Sequence, residues 1–183
     1  AEAIHRLTAQ LHRWLEWPPL RPLLGGVVVI ALTGIVGNRD YLGLSLPLID
    51  DSLAGGAGIV MGAFALKLLF TAVTLGAGFH GGEVTPLFVI GATLGVTLGT
   101  ALGVPIPLMA ALGFVAVFAG ATNTPIACTI MGIELFGWDP ALLLALACGV
   151  SFLSSGSGGI YTSQRNHRWG FHHLLPGEAR ASV

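Results

Sequence analysis

From Val84 to Ile133 the chain contains no Asp, Glu, Lys or Arg. No other feature limits its possible folds so strongly. A single helix of these fifty residues would reach about 75 Å at 1.5 Å per residue, more than twice the roughly 30 Å of a bilayer's hydrocarbon core. The run must therefore fold back on itself inside a membrane. The flanking sequence agrees, because between Ser52 and Gln164 only Lys67, Glu83, Glu134 and Asp139 are charged at neutral pH. Over all 183 residues the charged share is 9%, where an ordinary soluble domain has roughly 25%. A formal net charge of −1 also excludes a nucleic-acid partner, which calls for a basic face.

Three regions follow. Residues 1–21 read as an amphipathic helix and linker, with Ile4, Leu7, Leu11 and Leu15 toward one side and "WPPLRP" as the break. Residues 22–164 read as the membrane domain, and 165–183 as a basic tail. Arg165, Arg168 and Arg180 place that tail in the cytoplasm by the positive-inside rule. Within the membrane domain, 23–37 is a short crossing candidate. "NRDYLGLSLPLIDD" is expected to be a polar loop around a short apolar piece. From Ser52 a short helix and then a longer one carrying Lys67 are expected. Four further helices of about 18, 16, 13 and 16 residues follow, set by the Pro- and Gly-bearing breaks "GVPIP", "GATNTP" and "GWDP". Several fall short of the roughly 20 residues of a simple span, and short, broken helices within a bilayer are a mark of transport pathways.

Cys128 and Cys148 lie in apolar runs without metal-site spacing, so they read as packing residues, and neither a cofactor nor a metal is expected. Gly91, Gly95, Gly99 and Gly103 recur every four residues, a ridge on which a second helix can approach closely. Lys67 and Glu134 are either interfacial or structurally paired charges, or they line the pathway; position alone leaves both readings open.

The chemistry concentrates in "FHGGEVTPLF", residues 79–88. Gly81 and Gly82 free the backbone, and Pro86 suits the first turn of a helix beginning near Val84. A helix start in a membrane offers unpaired N–H groups and a partial positive charge, which together attract an anion. Glu83 at that start either caps its own helix or serves as a protonatable group beside the anion site, and an intramembrane carboxylate favours the second reading. At the far end, "SSGSGGIYTSQR" carries Tyr161, either an interfacial anchor or a hydroxyl donor to an ion. Ser157 with His167, His172 or His173 would suit an intramembrane serine hydrolase, a weak constellation because the histidines fall in the basic tail.

"GGEVTPLFVIGATLG" resembles the GxFxP helix-start motif in the second half of CLC chloride channels and transporters. "GATNTPIACTIMGIELFG" resembles the segment that follows it, and "GGIYTSQR" is similar to the final segment with the family's ion-coordinating tyrosine. Order and spacing agree over about residues 22–168. The resemblance implies an all-α polytopic membrane protein with short, broken, tilted helices, built as two inverted halves. It also implies a homodimer with one pathway per subunit, embedded in lipid in the cell inner membrane, and no enzyme activity. Carried over by position, Gly82, Glu83, Val84, Thr85 and Pro86 occupy the anion-binding turn, and Tyr161 matches the inner tyrosine. Val84 replaces the motif's Phe, and "GGEVTP" is similar to the branch that exchanges fluoride for protons, so fluoride/proton antiport is the expected function. A voltage-gated chloride channel or a chloride/proton exchanger is the alternative. First-half motifs such as GREGP do not occur in these residues, and the chain is expected to be the C-terminal half of a transporter.

Overall fold

The computed structural model describes residues 20–79 and 81–155, and among these it is all helix, with no strand. Seven helices run in order: α1 Leu20–Val36, α2 Leu46–Leu53, α3 Ala63–Gly76, α4 Val84–Leu102, α5 Ile106–Thr122, α6 Pro125–Phe136 and α7 Ala141–Ser155. The punctuation expected from sequence falls where the helices stop. Gly103 ends α4 in the left-handed region at φ 67, and Asn123 ends α5 the same way at φ 57. Each donates its N–H to the carbonyl four residues back, Gly99 and Ala119 respectively, so one carbonyl of each last turn is satisfied. Pro105, Pro125 and Pro140 then mark the restarts.

One element departs from the sequence reading. The segment expected as a polar loop contains α2, whereas the short helix expected after Ser52 is a turn that leads into α3. Ser45, in the left-handed region at φ 56, starts α2, and Pro47 lies in its first turn. Eight residues are too few to show a helical period against so apolar a background.

Of the helices described, only α4, with 19 residues, is long and apolar enough for a simple span. At 12 residues, α6 extends only about 18 Å. Helices α4 and α5 form the central pair, joined by three residues and therefore antiparallel neighbours. On one side of this pair α5 packs on α6 and α7. On the other, α3 packs on α4 and α1 on α3, and α2 bridges α4 and α5.

The central contact is made backbone to backbone. A β-carbon on Gly91 would fall on the Gly113 carbonyl, one on Gly95 on the Met109 carbonyl, and one on Gly113 on the Gly91 carbonyl. Gly99 is slightly freer, 3.2 Å from the Met109 Cβ. Gly103 stands outside this ridge, because among the described residues a β-carbon built on it would meet nothing within 4 Å and its positive φ serves the helix end. Such proximity replaces hydrophobic driving force with dispersion contacts, the device available to helices in lipid.

Two apolar clusters flank α4. Ala92, Phe114, Val115, Ala119, Cys128, Leu144 and Cys148 form one, completed by Phe88 stacked on Phe114 at 4.1 Å between ring centroids. Both cysteines are buried free thiols within it. Tyr41, Leu48, Ala63, Phe70 and Val89 form the other. Large apolar side chains also face outward, among them Ile30 and Ile35 on α1, Ile126 and Ile130 on α6, and Leu142, Leu146 and Val150 on α7. An outer surface this apolar requires lipid or protein against it.

Candidate functional site

The first turn of α4 places the predicted residues together. Gly81 and Gly82 are exposed, with nothing within 4 Å of a β-carbon built on either. Glu83, Val84 and Thr85 follow half-buried, and Pro86 is buried. Glu83 occupies the cap position but makes no capping hydrogen bond with its side chain. The first backbone bond of the helix runs from the Leu87 N–H to the Glu83 carbonyl at 3.4 Å. The N–H groups of Val84 and Thr85 precede that bond and have no intrahelical acceptor, as at any helix start.

Thr85 differs from the other helical threonines nearby. Thr71, Thr93 and Thr97 each donate to the carbonyl four residues earlier, at 2.8, 2.7 and 3.0 Å. At a first turn no helical carbonyl stands at that position, and among the described residues the Thr85 hydroxyl has no partner. One hydroxyl and two amides thus lie in the same first turn, a donor set suited to a small anion.

Beside this turn lies a cavity of about 470 Å³. Gly81, Gly82 and Pro86 form part of its wall; Glu83, Val84 and Thr85 do not. Helices α1 and α3 contribute Val29, Phe70, Thr71 and Thr74, and the connection between α1 and α2 contributes Tyr41 to Leu44. Among the described residues lining it, Lys67 is the sole cation and no carboxylate takes part.

Lys67 is the functional candidate that position alone left open. It is only 2% exposed. Its ammonium donates to the Tyr41 carbonyl at 3.1 Å, the Gly43 carbonyl at 2.8 Å and the Ser45 hydroxyl at 2.7 Å. All three of its donors are thereby used. Its acceptors lie 22 to 26 residues earlier in the chain, and no local pattern announces a contact of that kind. Glu134 is exposed near the end of α6 and does not line the cavity. Tyr161, Ser157, His167, His172 and His173 lie outside the described residues, as do the proposed amphipathic helix and the basic tail.

Known proteins share this sequence and arrangement. The chain is 44% identical, over its whole length, to a chloride/fluoride channel protein of Pseudomonas syringae pv. tomato, of which it covers 41%. It is 30% identical over 149 residues to the voltage-gated ClC-type chloride channel ClcB of Salmonella typhimurium, covering 75% of this chain and 35% of that protein. A crystal structure of a CLC-type fluoride/proton antiporter superposes with a TM-score of 0.81 at 35% identity, over 87% of this chain and 40% of the other. The chain thus spans about two fifths of the length of the relatives it matches. The fold is that of a polytopic CLC membrane protein. The family model for voltage gated chloride channels matches residues 1–156, and the chain belongs to that family.

Proposed function

We propose that this chain is the second half of a CLC-type transporter that exchanges fluoride for protons across the cell inner membrane. The observation that carries the reading is the first turn of α4, where Thr85 and two amides have no partner among the described residues and the Glu83 side chain makes no capping bond to them. The names of the Pseudomonas relative and of the crystallised antiporter add support for fluoride.

In this reading the anion takes the donors of Val84 and Thr85. Glu83 competes for them when ionised and withdraws when protonated, so one site exchanges an anion for a proton. Tyr161 is assigned a second hydroxyl to the ion from the inner side. The rest of the pathway is assigned to the part of the CLC fold that this chain does not cover.

The test is joint measurement of anion efflux and proton uptake in liposomes holding the assembled transporter. Glu83→Gln keeps the shape and removes the titration. Anion movement is expected to continue without proton uptake. Coupling equal to wild type would reduce Glu83 to a helix cap, and chloride moving faster than fluoride would favour the chloride alternative.

The same reading makes the assembly a homodimer that buries the outward apolar face of α6 and α7. Leu146, 56% exposed, lies on that face. Leu146→Trp is expected to shift the protein toward monomers, and an unchanged mass by light scattering would place the dimer contact elsewhere.

A further inference from the structure

We propose that Lys67 is a positioning residue for anion transport: its ammonium holds segment 41–45, of which residues 41–44 line the same cavity as Gly81 and Gly82. This rests on the transport reading above and adds to it a residue away from the anion-binding turn.

A buried ammonium in a membrane domain is expensive, and an apolar side chain would pack at this position on α3 without that cost. Its three partners are two backbone carbonyls and a hydroxyl, none of them a carboxylate. The usual purpose of a buried cation, pairing with an acid, is therefore not what these contacts serve. What they do is tie to α3 an irregular segment with few bonds of its own, the Leu42 N–H to the Arg39 carbonyl and the Ser45 hydroxyl to the Leu42 carbonyl. Segment 41–45 has no helical ladder, and it passes through the left-handed region at Gly43, φ 59, and at Ser45, φ 56. A β-carbon disfavours that region, so Ser45 stays there only if its surroundings insist.

Lys67 supplies part of that insistence, donating to the carbonyl of buried Tyr41, to that of exposed Gly43 and to the hydroxyl of buried Ser45. The ring of Tyr41 stacks on Phe70, one turn along α3 from Lys67, at 6.0 Å between centroids. The segment is thus held to α3 by charge-assisted bonds and by an aromatic contact together.

The wall so fixed is a continuous part of the cavity. Tyr41, Leu42, Gly43 and Leu44 line it, as do Gly81, Gly82 and Pro86. Releasing the segment leaves the donors of α4 intact but lowers the fraction of molecules whose cavity has its working shape. Apparent affinity falls in proportion to that fraction. A defect in capture rather than in turnover is the signature.

The experiment measures fluoride efflux against fluoride concentration in liposomes holding the assembled transporter. Lys67→Met is expected to raise the half-saturating concentration about tenfold, with a maximal rate within about twofold of wild type. Lys67→Arg, which keeps charge and donors, is expected to recover most of the shift. Ser45→Ala removes one acceptor of the three and is expected to shift the value in the same direction by about threefold. An unchanged half-saturating concentration in Lys67→Met overturns the proposal, as does a loss confined to the maximal rate. If Lys67→Met does not fold, Ser45→Ala decides alone: a shift supports the proposal and its absence overturns it. A wild-type transporter that moves neither fluoride nor chloride defeats the transport reading itself, an outcome separate from any result on Lys67.

Discussion

Glycine performs opposite tasks at the two ends of one short stretch of chain. In the body of α4, Gly91 and Gly95 lie against the backbone of α5 with no room for a methyl group. Before its first turn, a β-carbon on Gly81 or Gly82 would meet nothing within 4 Å among the described residues. The first pair brings two helices into contact. The second keeps a helix end open beside a cavity, so that donors which would otherwise be buried and unmet remain available. The contrast shows that a rigid body and an open end can be built into one helix without a change of residue type. Only the neighbours differ.

The comparison can be broken first at its closed end. Gly95→Leu would drive a side chain into the Met109 carbonyl, and backbone cannot move aside as a side chain can. The expected loss exceeds about 4 kcal/mol, the range kept for disrupted cores. Unfolding in detergent reads it, and a protein of near wild-type stability would mean that α4 and α5 part more easily than their packing implies.

The open end is tested next. Thr85→Val removes a hydroxyl that has no partner among the described residues, so stability should hardly change. Fluoride flux should fall by the equivalent of about 1 to 3 kcal/mol, the cost of leaving a buried polar partner unmet. Chloride flux should fall less, because a smaller and more strongly hydrated ion depends more on donors that replace its water. Equal losses for the two ions would make Thr85 a structural residue only.

The smallest effect sharpens the contrast most. Gly82→Ala adds a methyl into open space, and stability should stay within about 0.5 kcal/mol of wild type. A large destabilisation there would show that the open end is packed after all.

Much of this was legible in the sequence, for identifiable reasons. The breaks "GVPIP", "GATNTP" and "GWDP" gave the ends of α4 to α7 to within a residue or two, because Pro and Gly act locally. The start of α4 was legible for the same reason, since Gly, Gly and Pro around Glu83 define a helix start without reference to the rest of the fold. Gly103 misled because a period of four cannot separate the last residue of a ridge from a helix end. Helix α2 was missed because its start depends on Ser45 in a conformation that the Lys67 ammonium helps to hold. Lys67 itself was visible as a charge in an apolar run, but its task was not, because its partners come from a distant segment. Local punctuation could be read directly; contacts across the fold could not.

The three-residue link between α4 and α5 bears on how the protein is made. Two apolar helices tied so closely cannot drift apart in the bilayer once both have emerged from the ribosome. Their facing glycines, Gly91 and Gly113, can then meet before α6 and α7 exist. The pair would enter the membrane as a preassembled hairpin, and the later helices would add to a seam already closed. In biogenesis the glycine ridge would then act as a template, and a substitution there would burden membrane assembly as well as the stability of the finished fold.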